Sequence, residues 1–199
     1  SALVEYLPDT QLILLLGAMI VSLILGMGLP TPVAYIIVAL ALVPFMQQIG
    51  IPPLQAHFFV FYFAVFSTLT PPVAVSVLAA AKLGEATFLS TAKDAMKIAL
   101  TTFIIPFAFV FSPELMLFPN VTWGTMLAVV EVVFVQLAVS VASYGFLIRS
   151  LNGFERGVYA FVALSGFLGF TYDANFWYVA VALFMTISGY VFVSNKTQE

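Results

Sequence analysis

Long apolar runs leave this chain little choice of fold. Six can be drawn: Gln11 to Gly26, Val33 to Met46, Phe58 to Leu83, Ile98 to Phe118, Trp123 to Ile148 and Gly157 to Val193. A helical span needs about 20 apolar residues, so 199 residues hold several spans and leave no stretch for an extramembrane domain. Hydrophobic residues make up 63% and charged residues 8%, against roughly 25% charged in an ordinary soluble domain. That balance excludes a soluble globular domain and a disordered segment. Six Lys and Arg against nine Asp and Glu leave no basic patch to meet phosphate, so nucleic acid is not a partner. The expected class is an all-α polytopic protein of the lipid bilayer.

Enzyme chemistry finds no support. With no cysteine there is no disulfide, thiol nucleophile, iron–sulfur ligand or thiolate zinc site. No HExxH, GxSxG or paired acidic motif occurs, so no catalytic residue is assigned and no metal is expected beyond a coupling cation. Trp123 and Trp177 each open an apolar run, where interfacial anchors belong.

The basic residues set an orientation. Lys82, Lys93 and Lys97 precede the fourth run, Arg149 and Arg156 flank the loop after the fifth, and Lys196 follows the last. If each full run crosses once, all six fall on one side, which the positive-inside rule makes the cytoplasm. The C-terminus is then cytoplasmic. The turns at Pro113 to Thr122 and Thr171 to Asn175 face outward, carrying only Glu114 and Asp173. Gln47 to His57 also lies outside. The segment before it, Gln11 to Met46, is open between one kinked span and a re-entrant hairpin. Each half is about 15 residues, or ~22 Å of helix, short of the ~30 Å hydrocarbon core, which favours the hairpin.

Two breaks stand out. Gly26-Met27-Gly28-Leu29-Pro30-Thr31-Pro32 removes two N–H donors and supplies two residues of free φ. Ser67-Thr68-Leu69-Thr70-Pro71-Pro72 does the same beside three hydroxyls. Freed backbone in hydrocarbon is tolerated only where protein or a water-filled cavity satisfies it. Unwound carbonyls and hydroxyls are hard oxygen ligands suited to Na⁺. Half-helix N-termini after Pro32 and Pro72 offer positive dipole ends to an anion. Paired interrupted segments point to a transporter site near the midplane. Plain proline kinks with packing roles are the competing reading.

Other polar residues carry blander expectations. Glu131 lies inside the fifth run, where a protonated carboxyl bonded to a neighbouring helix is favoured over a proton relay. His57, the single histidine, is expected to make a gate or interface hydrogen bond. Lys93, Asp94 and Lys97 suit a solvated amphipathic face. Asp173 and Asn175 suit a turn.

Leu25 to Tyr35, Gln55 to Phe63 and Ser67 to Val75 resemble the large membrane subunit of tripartite ATP-independent periplasmic (TRAP) transporters, in its TAXI-type, often fused, form. The likeness continues through Pro106-Phe107 and Ser112-Pro113-Glu114-Leu115. Leu151-Asn152-Gly153-Phe154-Glu155-Arg156 is similar to the extra C-terminal tail of the fused permeases. The resemblance implies the second inverted repeat of an elevator-type secondary transporter, in a bacterial or archaeal inner membrane. It implies a transport repeat over 1–118 (hairpin 11–46, broken helix 58–83, amphipathic segment 84–97, helix 98–118). Added transmembrane helices follow over 119–199, the first helix of the last run being short. By the same carry-over, Gly26, Gly28, Thr31, Ser67, Thr68 and Thr70 bind the ion through carbonyls and hydroxyls. Pro30, Pro32, Pro71 and Pro72 lie beside the substrate.

Further implications follow from the family. A periplasmic binding protein delivers a small organic acid, and an ion gradient drives import. A first repeat and a small membrane subunit come from further sequence or from separate chains. Pro30 stands where many relatives outside the TAXI type carry an acid, so Na⁺ and H⁺ are both open as coupling ion. The alternative is an accessory membrane subunit that packs on a transporter without binding substrate.

Overall fold

A computed structural model describes residues 8–116, 121–173 and 175–196. These residues form α-helices joined by short connections, in two compact units, Ser1–Met116 and Leu117–Glu199. Among the described residues, four helical stretches are long and apolar enough to cross a membrane: Thr31–Gln48, Phe88–Phe111, Trp123–Tyr144 and Asn175–Asn195.

The first unit starts with a helical hairpin, α1 (Pro8–Gly26) and α2 (Thr31–Gln48), turned through Met27 to Pro30. Gly28 takes φ of 75°, a left-handed value that favours glycine, and Leu29 N–H donates back to the Gly26 carbonyl. Pro30 caps α2 and Pro32 lies in its first turn, where a missing N–H costs no intrahelical bond. The two helices pack side by side, so this segment is a hairpin and not one kinked span. They run 19 and 18 residues, about 28 and 27 Å. Each is longer than its apolar run because Asp9 and Thr10 extend α1 and Gln47 and Gln48 extend α2. Length therefore no longer favours half-crossing helices.

Next comes α3 (Pro53–Phe66), packed on α1, α2 and the later helix Ile104–Phe111. Its buried residues Ala56, Phe59, Val60, Phe63 and Ala64 recur at helical spacing and form the core of this unit. A single 3-10 turn, Ser67–Leu69, ends it, and α4 (Val75–Leu83) resumes after Pro71 and Pro72. The helix before this break opens at Pro53, five residues ahead of the apolar run that begins at Phe58.

The segment from 84 to 118 differs from expectation. The sequence predicts a separate amphipathic piece over 84–97 before a helix from 98. Instead Thr87 caps a helix that opens at Phe88, and α5 (Phe88–Thr102) runs almost directly into α6 (Ile104–Phe111). No glycine or proline lies between Phe88 and Ile105, so nothing stops the helix there. Pro106 lacks the N–H that would bond the Thr102 carbonyl, and the ladder slips at Phe103. The expected helix end at Phe118 lies outside the described residues.

In the second unit, α7 (Trp123–Tyr144), α8 (Gly153–Thr171) and α9 (Asn175–Lys196) form a bundle with α8 packed on both neighbours. Reciprocal caps start two of them: Thr122 with Thr125, and Asn152 with Glu155. At 19 residues, α8 is not short, because its cap at Asn152 places Glu155 and Arg156 in the first helical turn. Gly145, at φ 67°, ends α7. Ala138, Val162, Ala163 and Ala180 form one core cluster, and Val141, Leu151, Tyr159 and Val191 another.

Candidate functional site

The hairpin tip and the helix break meet. Gly26, the last residue of α1, sits directly on Ser67, the first residue of the 3-10 turn. A Cβ on Gly26 would overlap Ser67 Oγ and stand 2.9 Å from Ser67 Cβ. At Gly28 a Cβ would stand 3.3 Å from Val73 Cγ1. Both glycines are needed for close approach, Gly28 for its φ as well. Thr31, Pro30 and Pro32 lie on the α2 side of the tip, with Thr31 half-buried and both prolines exposed. Pro71 and Pro72 are exposed on the break.

The three hydroxyls of the break point their protons into their own helix. Ser67 Oγ donates to the Ala64 carbonyl at 2.6 Å, Thr68 Oγ1 to Val65 at 2.9 Å and Thr70 Oγ1 to Phe66 at 2.9 Å. Such bonds compete with the backbone ladder and help to end the helix. A hydroxyl has one proton and two lone pairs. With the proton committed, each oxygen can still accept from a donor or coordinate a cation. No Asp, Glu, His, Lys or Arg occurs from Gly26 to Pro32 or from Ser67 to Val75.

Both helices that restart after the breaks lack a side-chain cap at their N-termini. Pro30 precedes α2 and Ala74 precedes α4, and neither offers a side-chain acceptor. Their first N–H groups thus stay available to an anion or water. Ala74 takes φ of 38°, an unfavourable value for a residue with a Cβ, and it is fully buried against Val77 and Ala92. The sequence gives no signal for this, since alanine is not a left-handed residue by habit.

Two further constellations emerge only in the folded chain. Tyr62 O–H donates to the Thr102 carbonyl at 3.0 Å, the acceptor that Pro106 leaves free. Arg149 grips Glu155 with two bonds, 2.6 and 3.0 Å, in a forked pair that shields the carboxylate to 1% exposure. The Arg149 guanidinium holds the Glu155 carboxyl below its ordinary range, and the Asn152 N–H adds to this against the opposing effect of burial. Arg156 instead reaches the Ala142 and Ser143 carbonyls at the end of α7. Arg-x5-Glu across a capped loop is the signal that could have found the pair.

His57 accepts or donates a hydrogen bond with Tyr35 O–H at 2.9 Å, tying α3 to α2 as an interface contact. Glu131 is half-buried on α7. Lys93, Asp94 and Lys97 are exposed on α5, and Asp173 turns the chain into α9 through Asn175. Lys196 and the expected turn residues 117–120 fall among residues whose side chains or placement lie outside the description. Among the described residues no group of three His, Cys, Asp or Glu converges as a metal site.

Residues 1–124 match the family model described as tripartite ATP-independent periplasmic transporter, DctM component. The chain belongs to that family. Neither the curated proteins nor the solved structures return a match. As a DctM component the chain is a non-enzymatic, multi-pass membrane permease of secondary transport. Family membership implies a periplasmic binding protein and other TRAP subunits as partners.

Proposed function

We propose that the hairpin tip and the helix break together form the coupling-ion site of this DctM permease and one wall of its substrate site. The observation that carries this reading is the seat of Gly26 on Ser67. It brings the freed backbone of both breaks to one place, beside three hydroxyls whose protons already point elsewhere. Gly26, Gly28, Thr31, Ser67, Thr68 and Thr70 supply the oxygens. The ion is Na⁺ and not H⁺, because neither break holds a group that titrates. Hard oxygen ligands without a carboxylate suit a monovalent cation. The uncapped starts of α2 and α4, beside Pro30, Pro32, Pro71 and Pro72, face an anionic substrate, a small organic acid handed over by the binding protein.

In this reading the first unit is the second of two inverted repeats in an elevator-type, TAXI-type permease. A first repeat and a small subunit complete it. The membrane is a bacterial or archaeal inner membrane, with the C-terminus on the cytoplasmic side. The test is thermal stability of the permease purified with its partner subunits, in Na⁺ against choline at equal ionic strength. A bound ion at a hundred times its Kd stabilises by about 2.7 kcal/mol. Wild type gains stability in Na⁺ alone, and Thr70→Ala loses that gain while keeping its stability in choline. An equal Na⁺ response in Thr70→Ala would remove the ion from this site.

A further inference from the structure

The backbone ladder does not hold the two halves of the broken helix together. Its bonds stop at the 3-10 turn, Ser67–Leu69, and resume in α4, where Leu78 N–H donates to the Ala74 carbonyl. Thr70 between them is extended. A neighbouring element must therefore fix Ser67, Thr68 and Thr70 against the start of α4, and that element is α5. Near its start, Ala92 packs on Ala74 and Val77, with Leu69, Phe88 and Ala95 around them. Ala74 is left-handed, and such a residue persists only where its surroundings over-determine it. The far end of α5 meets the last turn of α3. There the Phe103 ring stands edge-on to Phe63 at 5.3 Å and to Phe66 at 5.6 Å. Tyr62 stacks on Phe66 at 4.7 Å and donates to the Thr102 carbonyl. Ala92 and Phe103 are about 16 Å apart along the helix, so α5 reaches both sides of the break.

We propose that α5 splints the broken helix and that Phe103, acting through Phe66, is a positioning residue for the coupling-ion site proposed above, on which this role rests. Phe66 belongs to the bonding of the break itself, since its carbonyl accepts from Thr70 Oγ1 at 2.9 Å. The Phe103 ring meets it where the ladder slips, because Pro106 offers the Thr102 carbonyl no N–H. Ligand oxygens already held in place add no ordering cost when the ion arrives, whereas loose ones weaken binding by that cost. Splinting therefore acts on the affinity for Na⁺ and not on the number of sites.

The test measures binding of radiolabelled Na⁺ to the permease purified with its partner subunits, beside its thermal midpoint in choline. Phe103→Leu keeps apolar bulk and removes both ring contacts. It should weaken Na⁺ binding about five- to tenfold, the worth of one or two ring pairs, with the number of sites unchanged. Phe109→Leu is the control. Its ring meets Phe58, toward the start of α3 and away from the break, so its loss should leave Na⁺ affinity at the wild-type value whatever it does to the midpoint. Phe66→Leu should weaken binding as Phe103→Leu does, and the double variant should lose less than the sum, because the two share one contact. Pro106→Ala restores the missing N–H and favours the helix, so the midpoint should not fall. By closing the slip it should draw the Phe103 ring off Phe66 and weaken Na⁺ binding too, which decides the matter if Phe103→Leu does not fold. Equal losses in Phe103→Leu and Phe109→Leu, additive losses in the double variant, or wild-type affinity in Pro106→Ala would each overturn the splint while Thr70→Ala still abolishes binding. Na⁺ binding that survives in Thr70→Ala would instead remove the ion site, and the role of Phe103 with it.

Discussion

Gly26 is the residue on which the site depends most. Its missing Cβ is what lets α1 end on Ser67. Gly26→Ala should lower the thermal midpoint of the purified permease, at a cost of about 1–3 kcal/mol for overpacking. Gly17→Ala, in open space on the same helix, should not. Ser67→Ala combined with Gly26→Ala should recover part of the loss, since the overlapping oxygen is gone; additive losses would mean that the contact does not matter. Glu155 makes a different kind of prediction. Its folded pKa is depressed, so its pairing stabilises the fold fully above the ordinary value of 4.5 and is lost as pH falls through the lowered value. The thermal midpoint should fall in that acid window, and Glu155→Gln should flatten this part of the profile while starting from a lower midpoint at neutral pH. A variant with wild-type acid sensitivity would assign the effect to another carboxylate.

At the scale of elements, the helices stop where their backbone bonds are removed and resume where a new N-terminus can form. The Gly-Pro tip and the Thr-Pro-Pro break were legible because both act within a few residues. Only Pro106 marks the slip between α5 and α6 in the sequence. Its place at Phe103 follows from the lost bond four residues back, and Tyr62 supplies the replacement. Tyr62→Phe should leave the Thr102 carbonyl unsatisfied in a half-buried place and cost about 1–3 kcal/mol. Thermal unfolding of the purified protein checks this; an unchanged midpoint would mean that water already serves the carbonyl. The apolar runs fall short of α1, α2 and α8 because an apolar run marks what lies in hydrocarbon, whereas a helix continues through polar residues until a cap or a glycine ends it. Asn152 and Glu155 formed such a cap ahead of the run that opens at Gly157.

For the whole molecule, the charge pattern predicts sidedness that labelling can read. The chain has no cysteine of its own, so single cysteines report cleanly. Glu85→Cys and Ser150→Cys, near the basic clusters, should react with a membrane-impermeant maleimide only from the cytoplasmic side, and Glu114→Cys only from the other. All three positions are exposed. Reaction of Glu85→Cys and Glu114→Cys from the same side would break the assigned crossing of α5 and α6. The features legible from the residues alone are local: apolar runs, proline and glycine breaks, and caps. Each is fixed by the hydropathy or allowed dihedrals of a few neighbouring residues. Tertiary structure alone decided that Gly26 lands on Ser67, that Tyr62 meets the carbonyl freed by Pro106, and that Arg149 closes over Glu155. Those contacts join segments far apart along the chain or folded back across a loop, and only the packing of helices against one another selects which polar atoms come within bonding distance.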